Sequence, residues 1–140
     1  MVSRIVVADD NPSTLEGLKG LIAAWGYEVT TAADGRAALE AVALVHPRAV
    51  ITDLIMPFMT GLDLLTTLHE REPALPVILL TSHPNLTTQV DAMQQGAYAY
   101  LWKPVDVPTL KMVLISALAT SEADVRWPAT TLTARSRRSN

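Results

Sequence analysis

The chain has 140 residues, 49% apolar and 18% charged, with a net charge of −3 and no cysteine. That profile suits a single globular domain with a self-sufficient core and excludes a disordered chain. The charge is too mild to argue for nucleic acid or an anionic membrane, and the lack of thiols excludes disulfides, thiolate catalysis and cysteine-ligated zinc.

Arg4–Ala8 is a continuous apolar run, the pattern of a strand covered by helices on both sheet faces. Asn11 is a candidate N-cap with Pro12 at the first helical position, and Leu15, Leu18, Leu21, Ile22 and Trp25 then recur at helical spacing up to Gly26. Glu28–Ala32 reads as a strand rich in β-branched residues, more polar than the others and so expected at a sheet edge. Asp34 and Gly35 open a second helix through Ala38, Leu39, Val42 and Val45, closed before Pro47. Ala49–Asp53 is a third strand, and a loop to Gly61 leads into a helix carrying Leu62, Leu64, Leu65 and Leu68. Pro76–Thr81 is a fourth, aliphatic strand, followed by a helix from near Thr87 through Val90 and Met93 to Gly96. Ala99–Trp102 is the fifth strand, and Val107–Leu118 the last helix, with Leu110, Val113, Leu114 and Ala117 inward.

Five βα units in succession with right-handed crossovers make a three-layer α/β/α sandwich. The folded domain is expected over residues 1–120. Ser121–Asn140, rich in Thr, Ser, Ala and Arg, reads as a polar tail or the start of a linker. Repeats and glycine-rich phosphate loops are missing. Ile5–Ala8 is too short for a signal-peptide core, and no apolar run approaches the ~18–20 residues of a membrane span, so a cytoplasmic protein is expected.

The chemistry gathers at strand ends. Asp9 and Asp10 follow the first strand, Asp53 ends the third, Thr81 the fourth, and Lys103–Pro104 follows the fifth. In a parallel α/β sheet these ends share one edge, where ligands bind. Three carboxylates, a hydroxyl and an ammonium in one cleft suit a divalent cation, Mg²⁺ above all, and a phosphoryl group. An acidic pair alone more often just starts a turn, and a strand-end threonine alone means little. Asp53 is harder to dismiss, because a carboxylate ending a buried strand is costly to desolvate without a cation nearby, and an aspartate can accept a phosphoryl group as a nucleophile. Lys103 is likewise unusual in following Tyr100, Leu101 and Trp102 on a buried strand; Pro104 makes a cis peptide there a candidate, one that would aim the lysine inward. Tyr100 and Trp102 share a strand face, with core packing expected for at least one. His46, His69 and His83 read as solvent-facing or loop residues, and Met56, Met59, Met93 and Met112 as packing.

Taken together, Asp9-Asp10, Asp53 with Met56, Pro57 and Gly61, Thr81, Gly96-Ala97, Tyr100 and Lys103-Pro104 resemble the receiver domain of two-component response regulators. The resemblance covers roughly Val2 to Thr120. It implies a flavodoxin-like fold with a five-stranded parallel sheet in the order 2-1-3-4-5. It also implies a signalling phosphoprotein rather than an enzyme: a histidine kinase or histidine phosphotransfer protein would donate a phosphoryl group to Asp53, in a phosphorelay. Asp9, Asp10, Asp53 and the Ile55 carbonyl would hold Mg²⁺, while Lys103 and Thr81 would contact the phosphoryl oxygens. A shift of Thr81 would free space into which Tyr100 turns, repacking the face made by the fourth helix, fifth strand and fifth helix for dimerisation or an effector. Phe58 departs from the small residue usual there. Ile55 and His83 stand where the family tunes dephosphorylation, and apolar Ile55 offers no group to orient a water.

Other classes fit less well. A haloacid-dehalogenase-like phosphatase wants a second aspartate two residues after the first, where Ile55 stands. A pseudo-receiver that binds partners without phosphorylation usually lacks one of the essential residues, and here all are present. A DNA-binding regulator would need a domain that nothing after Thr120 provides, so no direct nucleic-acid contact is expected.

Overall fold

Parallel pairing accounts for the whole sheet, and each strand is buried according to its place in it. The computed structural model describes residues 2–123 and 132–134. Its elements are β1 (Arg4–Ala8), α1 (Pro12–Ala24), β2 (Glu28–Ala32), α2 (Gly35–Val45), β3 (Ala49–Asp53), α3 (Gly61–Arg71), β4 (Val77–Thr81), α4 (Leu86–Gln94), β5 (Ala99–Trp102), α5 (Val107–Ala123) and β6 (Leu132–Ala134). The sheet order is β2-β1-β3-β4-β5-β6, every pair parallel.

The first five strands stand in the expected order 2-1-3-4-5. Polar β2 is at the edge, where Val29, Thr30 and Thr31 are only partly buried, whereas β4 is buried throughout. The sequence reading puts 121–140 in a tail; instead α5 runs on to Ala123 and β6 adds a sixth strand beside β5. A three-residue strand among polar residues has no periodicity to betray it. The rest of that tail, including the arginines near the end, lies outside the described residues.

Alternation along the strands divides the core in two. Val6, Val50, Leu79 and Tyr100 meet Ala38 and Val42 of α2, Leu64, Leu65 and Leu68 of α3, and Ala92 of α4. Ile5, Val7, Ile51, Ile78, Leu80 and Leu101 meet Leu18 and Ile22 of α1 and Leu110, Val113 and Leu114 of α5. Trp102 packs partly against the first cluster, so both aromatics of β5 are core residues on one face. Met112 departs from the packing expected of it: it lies on the outer side of α5 and is exposed.

Local chemistry starts and stops the helices where they must be. Asn11 accepts hydrogen bonds from the N–H groups of Ser13 and Thr14 with Pro12 at the first helical position, and Asp34 accepts from Ala37. Thr60 and Asp63 form a reciprocal capping box at α3. Gly26 (φ 98°) and Gly96 (φ 99°) end α1 and α4 in a left-handed backbone that only glycine adopts freely.

Gly61 has a different constraint. A methyl built on it would lie 2.4 Å from the Asp53 carbonyl oxygen and 2.9 Å from Leu54 Cα, and its N–H donates to the Leu54 carbonyl at 2.7 Å. The loop after β3 thus folds back tightly onto the end that carries Asp53. Gly61→Ala should destabilise the protein by about 1–3 kcal/mol through this backbone clash. Gly17→Ala, on α1 with nothing within 4 Å of the new methyl, should instead stabilise it by about 0.5–1 kcal/mol. Urea unfolding of the two variants checks both signs.

Candidate functional site

The C-terminal ends of β1, β3, β4 and β5 open into one cleft, lined by Asp9, Asp10, Asn11, Thr14, Asp53, Ile55, Thr81, Ser82, His83 and Lys103. Each side chain arrives there because its strand stops. β1 ends into Asp9, which is only 2% exposed, and Asp10, which is exposed; β3 ends on half-buried Asp53.

One carboxylate oxygen from each of Asp9, Asp10 and Asp53 lies within 4.8 Å of the other two. Lys103 answers this crowding from the far side of the sheet. Its Nζ donates to Asp9 Oδ2 at 2.7 Å and to Asp53 Oδ1 at 3.1 Å. Asp9 also accepts from the Asn11 N–H at 2.9 Å, which is how so buried a carboxylate is tolerated. The peptide bond between Lys103 and Pro104 is cis.

The electrostatics follow from burial and proximity. Loss of water pushes the Asp53 carboxyl above its ordinary value; Lys103 pulls it back and Asp9 pushes it up further. For Lys103 the loss of water works against its charge, but its bonds and attraction to Asp9 and Asp53 outweigh that and hold it above the usual lysine value. Three hard oxygen donors around one ammonium leave net negative charge in the cleft, and that donor set fits Mg²⁺.

Thr81 is buried at the end of β4, its Oγ1 accepting from the His83 N–H at 3.0 Å. Tyr100 starts from a different position than the sequence reading expects. Its ring is already inward and 0% exposed, its hydroxyl 2.7 Å from Thr88 Oγ1 and accepting from the Asn85 N–H at 3.4 Å. One hydroxyl and one backbone amide at the start of α4 satisfy the phenol and so hold the ring in the core.

At the rim, Ile55 is 55% exposed, with His83 across the cleft, also exposed. Phe58 is 82% exposed and has φ 70°, with the Arg36 guanidinium 5.9 Å from its ring centroid. That left-handed backbone costs a non-glycine residue roughly 1–2 kcal/mol. His46 is exposed at the end of α2, whereas His69 is half-buried with its ring over Gly96. Asn11 enters the site through its backbone and Ser82 through its position after Thr81; adjacency to Asp10 and Thr81 was the only signal for either.

Comparison with known proteins agrees with this arrangement. A family model described as the response regulator receiver domain matches residues 5–115. Regulatory protein AtoC of Escherichia coli (strain K12) is 35% identical over 117 residues, 84% of this chain and 25% of the relative. DNA-binding transcriptional regulator NtrC of the same organism is 43% identical over 101 residues, 72% of this chain and 22% of the relative. This chain therefore spans about a quarter of the length of these relatives. The signal receiver domain of an HD domain-containing protein from Pseudomonas fluorescens Pf-5 superposes with a TM-score of 0.85 at 30% identity, covering 89% of this chain and all of that one.

Because folded Asp53 takes up its proton at a higher pH than in the unfolded chain, ionising it opposes folding as pH rises above 3.8 through its folded-state value. An NMR carboxyl titration of the metal-free protein should place Asp53 above ordinary aspartates, and Lys103→Met should move it higher still. A midpoint that falls in Lys103→Met would contradict the roles given to the ammonium and to burial.

Proposed function

This chain belongs to the response regulator receiver domain family, and from that premise we propose that it accepts a phosphoryl group on Asp53 from a histidine kinase or histidine phosphotransfer protein. Such domains serve signalling rather than turnover of a separate substrate. The observation that carries the reading is Asp53 itself: a half-buried carboxylate at a parallel-sheet edge, within 4.8 Å of two others and bonded to one ammonium.

In the step proposed, an Asp53 carboxylate oxygen attacks phosphorus in line. The O–P bond forms as the P–N bond to the donor imidazole breaks, and the electron pair leaves on the imidazole, which takes a proton. Asp9, Asp10, Asp53 and the Ile55 carbonyl would hold Mg²⁺, which supplies charge neutralisation for the carboxylates and the incoming phosphoryl oxygens. Lys103, now shared between Asp9 and Asp53, would turn part of its charge to the phosphoryl group, and the Thr81 hydroxyl would donate to it. Positioning and charge compensation are the protein's whole contribution.

The output would run through Thr81 and Tyr100. With Tyr100 already inward and tied to Thr88 and Asn85, a movement of Thr81 would act on α4 through that hydrogen-bonded group rather than by drawing the ring in from solvent. The face made by α4, β5 and α5 would then dimerise or engage an effector domain or protein. Among the described residues no helix is long and apolar enough to cross a membrane, which fits the cytoplasmic signalling role proposed.

Incubation with acetyl phosphate and Mg²⁺ should add one phosphoryl mass to the parent and none to Asp53→Asn or to the parent without metal. No mass gain in the parent, under conditions that modify a known receiver, would favour a pseudo-receiver. Exposed Ile55 places no hydrogen-bonding group at the rim, so the acyl phosphate should be long-lived. Ile55→Asn should shorten its half-life several-fold by orienting water, whereas Ile55→Ala should not; following intact mass over time after removal of the phosphodonor reads both.

A further inference from the structure

β5 would, as the last strand of a five-stranded sheet, expose a row of unpaired backbone groups. Here Leu132–Ala134 pairs with it, placing Leu132 opposite Ala99, Thr133 opposite Tyr100 and Ala134 opposite Leu101. Just past β5, Lys103 turns its N–H to the Thr81 carbonyl on β4, in register with Thr81 opposite Trp102. Alternation then turns the backbone groups of Tyr100 and Trp102 towards β6, and makes Leu132 and Ala134 the β6 residues whose own N–H and C=O face them.

The route to β6 is unusual. The β3–α3–β4 and β4–α4–β5 crossovers step in one direction over the sheet face covered by Leu64, Leu65, Leu68 and Ala92. The β5–α5–β6 connection continues in that direction, but α5 lies on the opposite face through Leu110, Val113 and Leu114. Its hand is therefore opposite to theirs, and strand twist makes parallel crossovers of the minority hand rare. Three residues held by such a connection form a weak strand.

The helices on either side of β5 also keep apolar side chains in water: Leu86 and Val90 on α4, and Met112 on α5. An edge strand flanked by such residues can meet its own copy across a two-fold axis. Building on the receiver reading, we propose that Leu132–Ala134 is a displaceable cover on β5 that competes with a second copy of this chain for the α4–β5–α5 face. Activation would then require the cover to leave as well as the face to repack.

Ala134→Pro removes the N–H that faces the Tyr100 carbonyl, whereas Ala134→Val keeps it. In the proline variant the Tyr100 and Trp102 amides should exchange about tenfold faster, and sedimentation should show tighter self-association; the valine variant should match the parent. Unchanged exchange overturns the cover, and faster exchange without tighter self-association overturns the competition. If the proline variant does not fold, the parent decides: Tyr100 and Trp102 amides that exchange as fast as the outward-facing amides of edge strand β2 overturn the proposal. Acetyl phosphate labelling of the parent alongside reports on the receiver chemistry separately, since its failure sinks that reading and leaves the amide result standing.

Discussion

Three carboxylates that repel one another are held within 4.8 Å by the way four strands end, and a single ammonium, Lys103, bridges the two more buried ones. Much else in the cleft answers to that crowding. The buried Asp9 needs both Lys103 and the Asn11 N–H, so the first turn into α1 and the far end of β5 are tied to the same group. Gly61 must lack a side chain because the loop that positions Asp53 folds onto its carbonyl. Bringing in positive charge relieves the repulsion, and adding a phosphoryl group changes what Lys103 and Thr81 have to contact. A site built on unresolved charge would respond to both additions, as the proposed switch requires.

The link from site to surface is short. Thr81 ends β4, and β5 pairs beside it with Tyr100 opposite Leu79. The Tyr100 hydroxyl reaches the Asn85 N–H and the Thr88 hydroxyl at the start of α4. A shift at the end of β4 therefore meets, one strand away, a buried phenol whose only way to stay satisfied is to keep those partners or take the helix start with it. Packed groups with few satisfied arrangements convert small displacements into discrete ones.

Much of the fold was legible because it rests on short-range periodicity. The apolar runs, the Asn11 and Asp34 caps, the glycine stops at Gly26 and Gly96, and the polar character of β2 each report their element locally. The site was legible for a related reason: in a parallel sheet, a residue's position just past a strand assigns it to a shared edge, so Asp9, Asp10, Asp53, Thr81 and Lys103 can be gathered without coordinates. What escaped was whatever depends on a neighbour distant in the chain. Met112 looks like packing by type but falls on the outer side of α5; His69 looks like a surface helix residue but covers Gly96; and Tyr100 carries no mark of which way its ring points.

From the sequence alone came the alternation of strands and helices and which side chains reach the cleft, because each follows from residue type at a fixed spacing; the sheet order was implied by the family resemblance. Only the tertiary structure decided that Lys103 divides its charge between Asp9 and Asp53, that Tyr100 starts inward on Thr88, and that Leu132–Ala134 closes the β5 edge. Those outcomes turn on distances between groups as many as 94 residues apart, and local pattern carries no information about such distances until the chain has packed.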